Sequence, residues 1–169
     1  DLTSQKTSLL PYDRLMIATG ATPIIPPLKG VDSKNVYVIT RLEEVKRLRT
    51  ALPNYQNIGI IGGGFIGIEV AEQLAQLGKR VTLIEATDQL INRPFDKEFS
   101  EKIAHALEEI KVDIKLNTMI NTLQAENSRV THLKSDKENI AVDAVILAIG
   151  FRPHTNFIDD PRLKKLKNG

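Results

Sequence analysis

Six residues, Gly62-Gly63-Gly64-Phe65-Ile66-Gly67, carry the most specific chemistry in this chain. They hold the spacing Gly-x-Gly-x-x-Gly, and the apolar run Ile58-Gly59-Ile60-Ile61 leads straight into them. A helical pattern then runs to Leu77, Gly78 stops it, and a second apolar run, Val81-Thr82-Leu83-Ile84, ends at Glu85. A strand, a glycine turn, a helix and a strand ending in an acid together make a dinucleotide-binding unit. Each glycine has a mechanical reason. Gly62 allows the tight turn out of the strand, Gly64 lets the backbone approach a pyrophosphate, and Gly67 lets the helix pack closely on the strands. The helix N-terminus offers free N–H groups and the positive end of its dipole to the phosphates.

Glu85 lies 18 residues after Gly67, near the ~20 expected of a carboxylate that accepts the ribose hydroxyl protons. It would repel a 2′-phosphate, and no arginine follows it directly in Ala86-Thr87-Asp88. NAD(H) is therefore expected ahead of NADP(H), although Arg80 and Arg93 are each close enough in sequence to fold back toward the site. The plainer alternative is a tight turn and a solvated strand end; the match of the whole unit weighs against it. Glu69 on its own reads as a solvated charge near the start of the helix. Phe65 is either a core residue or a cover for a planar ring.

The elements that must position these groups follow from the apolar periodicity. Tyr12 to Gly20 reads as a short buried strand, and Pro23, Pro26 and Pro27 make the next stretch a stiff connector at a domain boundary. Val36 to Ile39 is a strand. Thr40, with Glu43 in a capping box, opens a helix whose stripe is Leu42, Val45, Leu48 and Leu52. The helix after the glycine turn carries Ile66, Val70, Leu74 and Leu77 on one side. Asp96 or Ser100 caps a third helix with the stripe Phe99, Ile103, Leu107 and Ile110. Val112 to Leu116 is a strand, Met119–Leu123 and Val130–Leu133 form a hairpin about Asn127-Ser128, Ile140 to Val142 is an edge strand, and Asp143 to Ile149 is a buried strand ending at Gly150. The tail from Arg162 to Gly169 is lysine-rich.

Composition narrows the function classes. Among 169 residues, 23 Lys+Arg against 21 Asp+Glu leave a formal charge of +2. That lacks the basic excess of a nucleic-acid binder. No apolar run approaches the roughly 20 residues of a membrane span. No signal-peptide pattern stands at Asp1, so the cytoplasm is the expected compartment. With no cysteine, disulfide frameworks, thiol nucleophiles and dithiol redox centres are excluded within these residues. His105, His132 and His154 share no ligand spacing, and no metal site is expected.

Three ordered motifs resemble a known family. They are Tyr12-Asp13-x-Leu15-x-Ile17-Ala18-Thr19-Gly20-Ala21-x-Pro23, the Gly62–Gly67 unit with Glu69, and Asp143-x-Val145-Ile146-x-Ala148-Ile149-Gly150-x-Arg152-Pro153. Together they are similar to the FAD-dependent pyridine nucleotide–disulfide oxidoreductases, most of all the branch of NADH oxidases, NADH peroxidases and coenzyme A–disulfide reductases. The resemblance implies a fragment of a longer enzyme: an NAD-binding core over 53–150, with 1–27 and 151–169 as flanking pieces of an FAD domain. The first glycine motif for FAD and the redox cysteine would precede Asp1, and the second flavin motif and a dimerisation domain would follow Gly169. FAD is expected in the full-length enzyme and not in this chain, and the intact enzyme is expected to be a homodimer. By matching position, Phe65 stands where many members have a tyrosine that covers the flavin and swings away for nicotinamide. Glu69 matches an acid near the nicotinamide, Gly150 closes the last strand beside the NAD site, and Thr19-Gly20 matches the exit from the FAD domain.

The expected fold is α/β, a Rossmann-like FAD/NAD(P)-binding three-layer fold: a central parallel sheet, helices on one side, and an antiparallel β crossover on the other. The expected function is NAD(H) binding within a flavin-dependent NADH oxidoreductase, with NADH delivering hydride to FAD in the intact enzyme. The chain alone is expected to be inactive, with no catalytic residue of its own. A stand-alone dinucleotide-binding or sensing module is the main alternative. A self-sufficient dehydrogenase would need an acid or base beside the nicotinamide, and none of Tyr12, Tyr37 and Tyr55 is followed four residues later by lysine. A methyltransferase fits the glycine spacing and flanking motifs less well. Flanking strands without partners lead us to expect some self-association.

Overall fold

The chain's apolar residues switch between a period of two and a period near 3.6, and strands and helices alternate accordingly. The computed structural model describes residues 3–160 and 162–164; the start at Asp1 and most of the lysine-rich tail lie outside these. In chain order the strands are β1 (Ala21–Pro23), β2 (Val36–Val38), β3 (Asn57–Ile61), β4 (Arg80–Ile84), β5 (Asp113–Lys115), β6 (Ile120–Glu126), β7 (Arg129–Ser135), β8 (Asn139–Ala141), β9 (Ala144–Leu147) and β10 (Phe151–Pro153). The helices are α1 (Leu42–Ala51), α2 (Phe65–Gln76) and α3 (Lys97–Glu109).

The central sheet is wholly parallel, in the order β2-β9-β3-β4-β5. A parallel sheet is covered on both faces, so its strands read as continuous apolar runs; all four residues of β9 are buried. One face packs on the helices. Leu48 of α1, Ala71 and Leu74 of α2 and Leu107 of α3 share a cluster with Tyr37, Ile58, Ile60, Leu83 and Ile146. The other face carries the antiparallel sheet β6-β7-β8, whose Leu123, Val130 and Leu133 pack on Val36, Ile84, Val145 and Leu147. The α/β three-layer expectation is therefore met. The packed core also takes in β2 and α1, ahead of residue 53.

Two local devices hold the antiparallel layer. Asn127 and Ser128 both have positive φ, 51° and 61°, the hairpin turn whose twist matches its strands. Asn35, buried to 1% exposure, uses its whole amide. Its Nδ2 donates to the carbonyls of Val130 and Asp143 at 2.8 and 2.7 Å, and its Oδ1 accepts from the Val130 N–H at 2.7 Å. One side chain thus ties β7 to the loop that enters β9.

Several local expectations need correcting. Tyr12–Gly20 is not a strand, and every residue in it is exposed; an apolar run becomes a strand only where an edge receives it, and none of the described strands does. Instead Ala21–Pro23 forms a two-stranded ribbon with β10, where proline is tolerated because the ribbon has open edges. The α1 cap is Arg41, with extended backbone and no side-chain cap bond, rather than Thr40. Only Leu48 of the α1 stripe is fully buried. In α2 the buried face is Gly67, Ala71 and Leu74, rotated from the anticipated stripe, while Leu77 is exposed. Asp96, not Ser100, caps α3, accepting from the Phe99 N–H at 3.2 Å; Ser100 is buried beneath it.

Candidate functional site

The C-terminal ends of β3, β4 and β9 lie side by side, with Ile61 paired to Ile84 and to Leu147. From β3 the chain proceeds through α2 to β4 on one side, while β9 enters on the other. Crevices for nucleotides open at such a reversal of strand order, beyond the carboxyl ends of the strands. The glycine turn sits there.

Gly62 leaves β3 with φ +113°, a conformation glycine adopts without penalty. Its N–H donates to the Ile84 carbonyl at 2.8 Å, and a Cβ on it would collide with the Ala148 carbonyl. At Gly63 a Cβ would lie 2.6 Å from the Leu90 side chain and 3.0 Å from Glu85 Cβ. At Gly67 it would strike the Gly62 carbonyl, so helix and turn touch backbone to backbone. Gly64 is different. It caps α2 with φ −82°, and nothing lies within 4 Å of a Cβ there. Three glycines are thus required by the protein's own packing, whereas Gly64 faces open space.

Among the described residues nothing accepts from the N–H groups of Gly64, Phe65, Ile66 or Gly67, the free donors at the start of a 12-residue helix. Glu85 stands beside them. Its Oε2 accepts from the Gly63 N–H at 2.7 Å. Its Oε1 accepts from the Thr87 N–H and the Thr87 hydroxyl, each at 2.9 Å. Glu85 as a residue is half-buried. Arg80, at the far end of β4, starts about 16 Å from Glu85 by strand rise, and its charge acts on Asp143 instead. Arg93 is exposed on the loop between β4 and α3.

That loop folds back over the turn. Ile91 donates its N–H to the Gly63 carbonyl at 2.9 Å, and Leu90 is fully buried. The loop thereby brings Phe95 edge-on to Phe65, with centroids 6.0 Å apart and planes at 77°, and Phe95 stacks on Phe99 at 5.5 Å. Phe65 is 60% exposed, so it is not a core residue. Glu69 is exposed four residues on, on the same face of α2. Gly150, with φ +111°, accepts from the Ile24 N–H at 2.9 Å. Thr19 and Gly20 lie apart from this cluster in their bonding: the Thr19 hydroxyl donates to the His154 carbonyl at 2.6 Å, and the Gly20 carbonyl accepts from the His154 N–H at 2.9 Å. Sequence reasoning missed Thr87 and Phe95, because neither belongs to a spaced motif.

The pyridine nucleotide-disulphide oxidoreductase family matches residues 1–169. The chain belongs to that family. An NADH oxidase of Streptococcus pneumoniae R6 is 34% identical over 94% of this chain and 37% of its own length. An NADH oxidase of Enterococcus faecalis V583 is 30% identical over 100% of this chain and 38% of its own. This member of the family therefore spans less than two fifths of the curated relatives it matches. Among solved structures, the water-forming NADH oxidase of Lactobacillus brevis bound to NADH is 31% identical, with a TM-score of 0.79, over 92% of this chain and 34% of that one. An engineered NADPH oxidase made from it, bound to NADPH, superposes with a TM-score of 0.84 at 28% identity, over 100% of this chain and 37% of that one.

Proposed function

We propose that this chain is the NAD(H)-binding portion of a flavin-dependent NADH oxidoreductase, in which NADH delivers hydride to FAD. One observation carries this reading. At the head of α2, an open Gly64 and free N–H groups stand beside Glu85, which is held at the same turn by the Gly63 N–H. The phosphates would meet the N–H groups from Gly64 to Gly67, and Gly64 would let them approach. Glu85 would accept from the adenine ribose and repel a 2′-phosphate, which favours NADH over NADPH.

When bound, NADH supplies a hydride from its nicotinamide. The chain's own residues bind and orient it. Phe65 and Glu69, on the exposed face of α2, would border the nicotinamide end, and Gly150 would border it from the end of β9. We assign no catalytic residue to this chain. It has a single Gly-x-Gly-x-x-Gly unit, so its residues do not fit an FAD of their own. The reading thus places FAD, the redox group and a dimerisation surface in further parts of a homodimeric cytoplasmic enzyme. Residues 53–150 would be the nucleotide-binding core, extended by β2 and α1, with 1–27 and 151–169 as flanking pieces of the FAD domain that carry Thr19, Gly20 and the β1–β10 ribbon. The relatives named NADH oxidase support the NADH part of this reading.

Calorimetric titration with NADH and with NADPH, beside a flavin absorbance scan, tests the proposal. NADH binding with NADPH much weaker and no flavin colour is the expected result. Failure to bind NADH by this chain and by the longer enzyme would overturn it.

A further inference from the structure

A carboxylate has about four lone-pair directions, two on each oxygen. On Glu85 three are taken. Oε2 holds the Gly63 N–H, and Oε1 holds both donors of Thr87. A ribose diol presents two neighbouring hydroxyls, one for each oxygen. Oε2 has room for one, but Oε1 has none while the Thr87 hydroxyl points at it. The same hydroxyl lies 3.0 Å from the Gln89 carbonyl. It has one proton and two acceptors in reach, so it can turn from one to the other without losing a hydrogen bond.

We propose that Thr87 is a positioning residue for nucleotide recognition, whose hydroxyl holds Glu85 in the free chain and turns to the Gln89 carbonyl when a ribose hydroxyl arrives. This rests on the reading of Glu85 as the ribose acceptor. The free carboxylate is then kept aimed and hydrogen-bonded, and opening it to ligand leaves no acceptor bare. The Thr87 N–H stays on Oε1 throughout and preserves the orientation. Valine has threonine's shape without the hydroxyl, and serine keeps the hydroxyl.

The experiment compares the wild-type chain with Thr87→Val and Thr87→Ser, each also made in a Glu85→Gln background. Two readouts are taken: exchange of the Gly63 amide by NMR without nucleotide, and calorimetric titration with NADH. In Thr87→Val the Gly63 amide should shift and exchange several-fold faster. NADH should bind about fivefold more weakly, because a carboxylate that the hydroxyl no longer holds in place must be ordered as the ribose arrives. Thr87→Ser should match wild type in both. With Glu85→Gln the valine change should cost nothing further, which a merely structural role for Thr87 would not produce. Unchanged NADH affinity in Thr87→Val, or an equal loss in both backgrounds, would overturn the inference, as would an unaltered Gly63 amide. If the wild-type chain fails to bind NADH while Thr87→Val still frees the Gly63 amide, the fault lies with the nucleotide reading and the ribose half of this inference falls with it.

Discussion

Adding one methyl group at Gly64 and one at Gly67 should separate ligand binding from folding. At Gly67 the new Cβ meets the Gly62 carbonyl well inside contact distance, and Ala148 Cβ at 3.5 Å. The obstacle is backbone, which cannot rotate aside as a side chain can. Overpacking of this kind costs about 3 kcal/mol, at the upper end of the usual range. For a chain of this length that lowers the melting temperature by about 6–12 °C. At Gly64 nothing lies within 4 Å, and φ is −82°, open to any residue. Alanine is a poorer helix cap than glycine by about 0.5 kcal/mol, but it restricts the unfolded chain by about as much. The melting temperature should stay within about 2 °C of wild type. The methyl would instead stand where phosphate must approach, and a clash of about 1–3 kcal/mol there weakens NADH at least about fivefold. Circular dichroism melts and calorimetry on the two variants check both halves. If Gly64→Ala binds NADH as wild type does, or if Gly67→Ala melts with wild type, the assignment of roles within the turn is wrong.

Two further outcomes concern stability. Asn35→Ala leaves the Val130 N–H and the carbonyls of Val130 and Asp143 without their partner, at about 1–3 kcal/mol for each buried group left unsatisfied; the urea midpoint should fall steeply, and Asn35→Asp should not restore it because a carboxylate cannot donate. Asp143 responds to pH. Desolvation pushes its pKa up, but the backbone N–H groups of Asn57 and Gln56, the Asn57 side chain and the charge of Arg80 outweigh this and hold it below its ordinary 3.8. A depressed carboxylate stabilises the fold above its unfolded pKa and loses that contribution as pH falls through the folded value. Stability should therefore decline below about pH 4, and Asp143→Asn should lower the urea midpoint at neutral pH while flattening its decline in acid.

How far the sequence discloses the structure depends on whether a residue's partner is near in the chain or distant. The glycine turn, α2 and Glu85 were legible because one continuous run of about thirty residues builds them, and Gly63 and Gly67 answer to Glu85, Leu90 and Gly62, inside that run or just past it. The hairpin at Asn127-Ser128 was legible for the same reason. Tyr12–Gly20 was misread because its apolar pattern states that a partner is needed without stating where the partner is. The rotation of the α2 face has a related cause: Gly67 is buried because the Gly62 carbonyl lies against it, and a stripe of large side chains does not mark that.

The polar contacts within the candidate site were the least legible part. Thr87 is a short hydroxyl residue two positions past an acid, and such a residue ordinarily marks only a turn. Its importance emerges from two acceptors within reach of one hydroxyl, Glu85 Oε1 and the Gln89 carbonyl. Phe95 likewise reaches Phe65 only because Ile91, at φ +43°, bends the loop back and fastens it to Gly63. The motif therefore specifies the cradle, and the loop after β4 supplies its adjustable parts. That division predicts where relatives sharing the glycine turn can differ in nucleotide preference: in the residues from Ala86 to Phe95, which touch the turn without being part of it.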